Sequence, residues 1–455
     1  MIYNMLLTTL GGLGLFLFGM HIMSESLQKI AGARLRRILE KLTTNRVVAV
    51  LAGTAITAII QSSSATTVMS VGLVNAGLMT LKQAVGVVIG ANIGTTITAQ
   101  IIAFKLTDIA LPLIGIGMFM KLLSKRESVK YWGDFFLGFG LLFYGLLVMK
   151  TGVMPLKAAP WVSDFFVYFS RSPIPGVVVG SLITMLFQSS SATIGLVIAL
   201  ASTGVVDFYG AAALVLGDNI GTTITAQLAS LGTNVSARRV ARSHLLFNVF
   251  GVCIILLIFP LFVRFVDFLT PGDPSLVVNG HIPYSARHIA NFHTLFNVTN
   301  CLIFLPLMGL LTRLSTYLAP GDESPRKYRL ESLGMSIFET PSFALDEAKQ
   351  EIDYMGHEVF RMLEFSETSL IENKGTEKMY ADVMEKEDLV DTLQKEINDY
   401  LTELSRQSVT ENQSKEIFSM LHIVSNLERI GDHCESIAKL CKKRNEFGLD
   451  FSDEG

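Results

Sequence analysis

The chain has 455 residues, of which 50% are hydrophobic and 17% charged, and its mean hydropathy is +0.45. A composition this apolar excludes a water-soluble globular protein of this length. The formal net charge is −3, and we expect no nucleic-acid partner.

Charge is distributed unevenly along the chain. Residues 1–330 contain 24 Lys and Arg against 12 Asp and Glu, whereas the remainder contains 13 against 28. Apolar runs of the roughly 20 residues needed to cross a bilayer occur only in the first part. The sequence therefore predicts a membrane domain at 1–320, a basic hinge at 321–340 that includes Pro325 to Arg329, and a soluble acidic helical domain at 341–455.

The first predicted helix, at about 5–24, is followed by a basic segment, Ala33 to Arg46, which the positive-inside rule places in the cytoplasm. The N-terminus is then outside. The apolar stretch at 47–104 is interrupted by QSSSAT (61–66) and by NIGTT (92–96), and the arms between are too short to cross a bilayer. We therefore expect a re-entrant hairpin followed by a broken helix, and then a helix at about 107–123.

The same motifs return later in the chain. QSSSAT recurs at 188–193, and ANIGTTITAQ (91–100) recurs as DNIGTTITAQ (218–227). The register of 127 residues holds without a gap from Gly53/Gly180 to Gln100/Gln227, which indicates an internal duplication. Repeat one covers about 5–123 and repeat two about 132–268. We expect the second repeat to end in a helix at 243–268 and a final helix to follow at about 287–313. Because the second repeat starts in the cytoplasm, the two repeats are predicted to be inverted.

The acidic tail predicts three long amphipathic helices, at 341–371, 376–407 and 411–445. Such segments pack as an antiparallel bundle. The fold class is therefore all-α: a polytopic membrane protein of two inverted repeats plus a soluble, cytoplasmic three-helix bundle.

Each hairpin tip carries the features of an anion receptor. Consecutive hydroxyls and a glutamine supply donors, and the second arm adds the unpaired N–H groups and positive end of a helix N-terminus. The candidate anion-binding residues are Gln61, Ser62, Ser63, Ser64, Gln188, Ser189, Ser190 and Ser191.

Hard oxygen ligands of the kind that bind Na+ surround the same motifs. They are Thr66, Asn92, Thr95, Thr96, Thr193, Asn219, Thr222 and Thr223. Asp218 stands where repeat one has Ala91, and an ionisable residue within a membrane is by default a functional candidate, here a cation ligand or proton site. The alternatives are interhelical hydrogen bonds for the hydroxyls, and a carboxylate in a water-filled vestibule or a helix cap for Asp218.

A smaller repeat pairs His and Asn one helical turn apart, in HLLFN (His244 to Asn248) and HTLFN (His293 to Asn297). We expect hydrogen bonds between helices here rather than a gating role. In the tail, Glu387 with Asp391 and Glu428 with Asp432 have i, i+4 spacing. Carboxylates so placed on facing helices bind hard metal ions, and the alternative is a solvated acidic face.

The doubled QSSSAT and NIGTT motifs resemble those of the type II sodium–phosphate cotransporter family, over roughly residues 5–318. The resemblance implies that the two QSSS tips meet around inorganic phosphate and coupling Na+. The tail resembles one half of a PhoU domain, in which ExxxD motifs bind metal clusters; this implies a divalent or ferric metal at Glu387/Asp391 and Glu428/Asp432. Because a PhoU domain has two such halves, the tail is expected to pair with a second chain or with a regulatory protein.

The expected function is therefore sodium-coupled phosphate symport by alternating access, in the lipid bilayer of the plasma (inner) membrane. The alternatives are phosphate export, a phosphate sensor that signals through its tail, and a dicarboxylate or amino-acid carrier. The carrier is disfavoured because the sequence places no Arg or Lys beside either motif. An enzyme is not expected, since the membrane region offers no pairing of nucleophile and base.

Overall fold

The computed structural model describes residues 2–40, 45–75, 79–104, 106–158, 172–231, 233–278, 280–321, 341–372, 376–407, 409 and 411–448. Over these residues the structure is helical, apart from an isolated antiparallel bridge between Val278 and His281. The chain forms two compact units, Met1–Glu323 and Ser324–Gly455. The predicted basic hinge at Pro325 to Arg329 lies outside the described residues.

The helices of the first unit are α1 (Ile2–Glu40), α2 (Arg46–Ile60), α3 (Ser63–Asn75), α4 (Leu81–Ile102), α5 (Ala110–Leu123), α6 (Glu127–Val153), α7 (Pro173–Phe187), α8 (Ser190–Ser202), α9 (Phe208–Gly221), α10 (Thr223–Ala229), α11 (Val235–Leu257), α12 (Phe259–Leu269), α13 (Ser285–Phe304) and α14 (Met308–Leu318). Short 3-10 turns precede α5 at Thr107–Ile109 and follow α6 at Met154–Ala158. The second unit contains α15 (Pro341–Glu372), α16 (Thr376–Ser405) and α17 (Glu411–Phe447), close to the three predicted tail helices.

Four stretches in the described part of the chain are long and apolar enough to cross a bilayer: Tyr3–Ile30, Leu81–Ile102, Glu127–Leu156 and Val235–Leu257. The pair α13 and α14 adds a fifth if counted as one span, and it is bent by 86°. By contrast α2, α7 and α8 are apolar but only 13 to 15 residues long. This pattern is that of a polytopic membrane protein.

Two predicted helices are interrupted at prolines. The helix predicted at 243–268 is divided between α11 and α12, where Pro260 lies in the first turn of α12. The final helix predicted at 287–313 is divided between α13 and α14, and Pro306 lies in the break. Proline lacks the N–H that a helix interior requires, so each helix ends and a new one begins at an angle.

The predicted break at the first NIGTT motif is wrong, because α4 runs unbroken from Leu81 to Ile102. The polar side chains of the motif bond to carbonyls of their own preceding turn: Asn92 Nδ2 donates to Val88 O at 2.8 Å and Thr96 Oγ1 to Ile93 O at 2.8 Å. These contacts satisfy the side chains without opening the helix. In the second copy the interruption is confined to Thr222, between α9 and α10.

The first helices of the two repeats, α1 and α6, pack in antiparallel fashion with their backbones in contact. A methyl group on Gly12 would lie 2.9 Å from Gly145 O, and one on Gly19 would lie 2.6 Å from Gly138 O. These residues belong to the matching GLGLFLFG (12–19) and GFGLLFYG (138–145) segments. Only glycine permits this approach, which explains the glycines at positions 12, 19, 138 and 145.

In each repeat the first hairpin arm packs in the same way on the helix that carries the NIGTT motif, which we call the motif helix: α4 in the first copy, and α9 with α10 in the second. A methyl group on Gly90 of α4 would lie 2.0 Å from Val50 O of α2, and one on Gly217 of α9 would lie 2.1 Å from Val177 O of α7. Both pairs are related by the 127-residue register. The two copies therefore share their local packing as well as their sequence.

The second unit has its own hydrophobic core, in which each of α15, α16 and α17 contacts the other two. Met355 and Met362 of α15 are fully buried there against Ile397 and Leu401 of α16 and Val424 of α17. Apolar stripes of the three helices meet in this core, while α15 and α17 also carry exposed apolar side chains, among them Phe360, Ile371, Phe418 and Leu440.

Candidate substrate and cation site

The two hairpin tips have the same backbone conformation. Gln61 ends α2 with φ 59° and ψ 23°, and Gln188 ends α7 with φ 52° and ψ 25°. Among the described residues these are the only non-glycine residues with positive φ. A left-handed residue with a Cβ costs about 1–2 kcal/mol, and strain of this kind concentrates at functional sites. The sequence of the motif did not predict that both glutamines would have a strained, left-handed backbone.

The serine after each glutamine caps the second arm of its hairpin. Ser62 Oγ accepts from Ala65 N at 3.1 Å, and Ser189 Oγ accepts from Ala192 N at 3.3 Å. The backbone N–H groups of the next two serines therefore stand at an open helix N-terminus in each copy. The hydroxyls of Ser63 and Ser64 in one copy, and of Ser190 and Ser191 in the other, lie in the first turn of these helices. Their role in anion binding stays a prediction.

Each tip contacts the motif helix of the opposite repeat. Ser190 Oγ lies 3.3 Å from Thr95 Oγ1 of α4, and Thr225 Oγ1 of α10 lies 3.4 Å from Ser64 Oγ. The family resemblance implied that the two tips meet, and it did not indicate these contacts with the opposite repeat. The structure brings both tips into contact with the two TTITAQ segments (95–100 and 222–227), and these residues form one polar region.

Two threonines of the TTITAQ segments were missed by sequence reasoning. Thr98 Oγ1 donates to Gln61 Oε1 at 2.9 Å, while Thr225, the equivalent residue 127 positions later, contacts Ser64 instead. Both lie within the duplicated motif, so their repetition was a signal that could have identified them.

A threonine pair lies behind each tip. Thr57 Oγ1 donates to Thr66 Oγ1 at 2.9 Å, and Thr184 and Thr193 make the same contact at 2.9 Å. In the second copy Thr184 Oγ1 also lies 2.8 Å from Asp218 Oδ1. That carboxylate is fully buried, and its Oδ2 has no hydrogen-bond partner among the residues that the structure describes. The first copy has Ala91 at this place.

The other predicted cation ligands bond to carbonyls of their own helices. Asn219 Nδ2 donates to Val215 O, Thr222 Oγ1 to Asp218 O and Thr223 Oγ1 to Ile220 O, at 2.7 to 3.0 Å. Together with Asn92 and Thr96 they are buried beside the tips. Each of these side chains thus donates to a carbonyl three or four residues earlier in the chain. Their role as cation ligands stays a prediction.

Two arginines reach the motifs through the fold, although none is near them in sequence. Arg287 Nη1 donates to Gln100 Oε1 at 3.1 Å, and Arg242 Nη1 donates to Gln227 Oε1. Gln100 and Gln227 are equivalent residues at the ends of the two TTITAQ segments. The expectation that no basic residue stands beside either motif is therefore wrong in three dimensions.

In the tail, the predicted carboxylates face one another across α16 and α17. Burial raises the pKa of Glu387, and neighbouring Asp391, Glu435, Asp388 and Asp432 raise it further. Burial likewise raises the pKa of Glu428, with added repulsion from Asp432 and Asp391.

Within the described residues, however, no group of three or more His, Cys, Asp or Glu side chains has an arrangement that could hold a metal ion. The predicted tail metal at Glu387, Asp391, Glu428 and Asp432 is therefore not supported.

The Na+/Pi-cotransporter family profile matches residues 15–151 and 157–266, which together are more than half of the chain. The chain belongs to the Na+/Pi-cotransporter family. A PhoU domain profile matches residues 352–441 of the tail. The matched regions contain both QSSSAT copies and both TTITAQ segments, so the family rests on the residues that build the site.

Relatives agree with this family. The chain is 28% identical over 450 residues, covering 98% of it and 80% of the relative, to YjbB of Escherichia coli K12, named as a candidate inorganic phosphate export protein. It is 33% identical over 260 residues, covering 57% of it and 84% of the relative, to the uncharacterised YqeW of Bacillus subtilis. A segment covering 26% of the chain is 31% identical to sodium-dependent phosphate transport protein 2A of the rat, of which it covers 20%. No solved structure matches the chain.

Proposed function

We propose that this protein transports inorganic phosphate together with Na+, and that the two hairpin tips form one substrate site. The observation that carries the proposal is the pair of contacts between each tip and the opposite motif helix, Ser190 with Thr95 and Ser64 with Thr225. A ligand held at one tip is thereby sensed by both repeats. The family and its sodium-dependent member in the rat support both the substrate and the coupling ion.

Phosphate suits the donors of the tips. The serine hydroxyls, the Gln61 and Gln188 side chains and the free N–H groups of α3 and α8 all donate, and two helix N-termini favour negative charge. Neutral donors backed by helix ends bind an oxyanion without a buried ion pair that would hold it too tightly to leave.

The cation is assigned to the oxygens behind the tips. In the second copy the hydroxyls of Thr184 and Thr193 adjoin the Asp218 carboxylate, and a buried carboxylate of this kind gains a counter-charge when Na+ binds. In the first copy Thr57 and Thr66 offer hydroxyls alone. The remaining proposed ligands are Asn92, Thr95, Thr96, Asn219, Thr222 and Thr223.

Alternating access by exchange of two inverted repeats is the mechanism that we propose for this site. The antiparallel packing of α1 against α6 supports it, because equivalent first helices then run in opposite directions through the membrane. The short arms α2, α7 and α8 support re-entrant hairpins. The proposed orientation has the N-terminus outside and the PhoU domain in the cytoplasm of a plasma-membrane protein, where the tail pairs with a second chain or a regulatory protein.

Export is the second candidate, favoured by the similarity to YjbB along 98% of the chain. Moving divalent phosphate outward across a membrane that is negative inside gains about 4.6 kcal/mol per 100 mV, whereas moving it inward costs the same amount. An exporter therefore needs no coupled cation, whereas an importer needs one, for which we propose Na+. The direction of phosphate transport therefore determines whether a coupled cation is needed.

The test uses purified full-length protein in liposomes and labelled phosphate. Symport predicts accumulation above equilibrium when Na+ is high outside, with no accumulation when K+ replaces Na+. Export predicts phosphate movement driven by an imposed membrane potential without Na+. Phosphate binding without movement under either gradient would reject both transport modes in favour of a sensor, and sodium-driven uptake of a dicarboxylate but not of phosphate would reject the assigned substrate.

A further inference from the structure

A second cluster of buried polar groups lies on α11 and α13, outside the tip site. His244 and Asn248 of α11, and His293 and Asn297 of α13, are at most 1% exposed. Each asparagine Nδ2 donates to the carbonyl of its own histidine, His244 O at 3.1 Å and His293 O at 3.0 Å. The predicted hydrogen bonds between helices are therefore not made by these amides.

Many atoms of this cluster have no hydrogen-bond partner among the described residues. Both ring nitrogens of His244 and His293, Oδ1 of Asn248 and Asn297, both side-chain polar atoms of Asn300 and the Ser243 hydroxyl are all unpaired. In a membrane interior each such group costs several kcal/mol unless something bonds to it. Apolar packing of the two helices therefore cannot account for these polar side chains, and a polar ligand must bond to them.

The two helices are related to each other by a repeat that differs from the 127-residue register. ARRVARSHLLFN (237–248) matches ARHIANFHTLFN (286–297) at seven of twelve positions, 49 residues apart. Continued by three residues, this register pairs Gly251 with Asn300, and these two are in contact: a methyl group on Gly251 would lie 1.7 Å from Asn300 Nδ2. The crossing of α11 and α13 thus occurs at equivalent positions.

The unpaired groups form a continuous line through this crossing. His244, Asn248 and Gly251 lie on one face of α11, at i, i+4 and i+7, and His293, Asn297 and Asn300 have the same spacing on α13. Each member is one helical turn, about 5.4 Å, from the next along its helix. The line therefore continues from one histidine to the other through the point where Asn300 touches Gly251.

The chemistry of the line specifies its ligand. It contains no carboxylate for a cation and no Arg or Lys for an anion, whereas it offers both donors and acceptors. Water has this dual character, and buried water bonds to about three otherwise unpaired polar groups. We propose that His244, Asn248, Asn300, Asn297 and His293 bind a file of water molecules between α11 and α13.

The water file gives the two helices exchangeable hydrogen-bond partners. When α11 and α13 shift at their crossing, the waters re-pair with neighbouring groups and no polar atom is left facing lipid. Phe247 and Phe296, each one residue from an asparagine of the line, pack instead into apolar clusters and confine the water to one face. The proposal does not depend on which solute the protein carries.

Radiolytic labelling of the intact protein tests this proposal, because X-ray pulses convert bound water into hydroxyl radicals that oxidise the adjacent side chain. His244 and His293 are expected to oxidise faster than Phe247 and Phe296, after each rate is divided by that of the same residue in the unfolded chain. The phenylalanines are matched controls, being 1% and 0% exposed at nearly the same positions.

Substitution locates the water. Asn248→Leu should slow oxidation of His244 and leave His293 unchanged, and Asn297→Leu should do the reverse. Histidine rates no higher than the phenylalanine rates in the wild-type protein would overturn the proposal, whether or not either variant folds.

Discussion

The two copies of the motif unit share a backbone but differ in charge. Thr57 with Thr66 and Thr184 with Thr193 make the same hydroxyl contact, at 2.9 Å in each copy. The second copy adds the buried carboxylate of Asp218, where the first has Ala91. Duplication therefore supplied two equivalent frames, and a single substitution made one of them the stronger candidate for a cation. The proposed difference between the copies can be tested by adding a carboxylate to the first copy or by removing the one in the second.

Adding a carboxylate to the first copy should have the largest effect. Ala91 is fully buried, and an unpaired charge at the centre of a bilayer costs about 2.5–3.5 kcal/mol. Ala91→Asp should therefore lower the unfolding temperature in K+, and Na+ should restore part of the loss if Thr57 and Thr66 complete a site. Thermal unfolding in each salt measures this. Ala91→Asn is the uncharged control, and equal stability of Ala91→Asp in both salts would contradict the equivalence of the two frames.

Removing the carboxylate comes next. Asp218→Asn keeps the size of the side chain and its contact with Thr184 but loses the charge. Interactions with a charged group contribute about 1.5–3 kcal/mol, so the sodium concentration for half-maximal phosphate uptake should rise roughly 10- to 150-fold. An unchanged sodium dependence would show that Asp218 is not a ligand. The same variant without Na+ should be more thermally stable, since an uncompensated buried charge is gone.

The serines should show how evenly the copies share phosphate. Ser63→Ala and Ser190→Ala each remove one donor, and each should weaken phosphate binding about tenfold, for roughly 1.4 kcal/mol. Titration calorimetry in saturating Na+ measures the affinity. Ser70→Ala is the control, because its hydroxyl bonds to Thr66 O at 2.8 Å, two turns from the tip. Unchanged binding in both tip variants would reject the shared site.

The glutamines give the smallest difference and the finest comparison. Gln188→Gly should stabilise the protein by about 1 kcal/mol, because glycine adopts positive φ without strain. Gln61→Gly gains the same relief but loses both the bond from Thr98 and the bond from its own Nε2 to Ala58 O, each worth about 1 kcal/mol, and should destabilise the protein by about 1 kcal/mol. Denaturation without phosphate measures both. Destabilisation by Gln188→Gly would mean that its side chain has a structural role that the first copy lacks.

Periodic patterns made much of the fold predictable. The tail helices begin and end within two residues of their predicted bounds, because their apolar stripes are regular and their breaks contain NKGT and SVT. The turn at each QSSS tip was predictable from polar residues between short apolar arms. The paired tip serines and Asp218 were identifiable because repetition marks equivalent residues and also marks where they differ.

The predictions that failed did so for different reasons, one local and one distant in sequence. The NIGTT motif looked like a break because its residues are polar, but Asn92 and Thr96 bond within their own helix. Arg287 reaches Gln100 from 187 residues away, so no local pattern could reveal it. The positive φ of Gln61 and Gln188 could not be predicted from the residue type, because glutamine has no preference for the left-handed region.

The glycine contacts between α1 and α6 have a mechanical consequence. Gly12 meets Gly145 and Gly19 meets Gly138, so backbone touches backbone at two places about 10 Å apart along each helix. Because the two backbones are this close, a shift of one helix along the other by one residue would make them collide. We therefore expect α1 and α6 to move as one rigid pair. Under the proposed mechanism the hairpin arms move relative to the α1–α6 pair. A covalent link between α1 and α6 should then leave phosphate transport intact. Loss of transport in the linked protein would show that α1 and α6 must move relative to each other. If the proposed mechanism holds, the fixed part of the membrane unit is the part where the smallest side chains bring two helix backbones into contact.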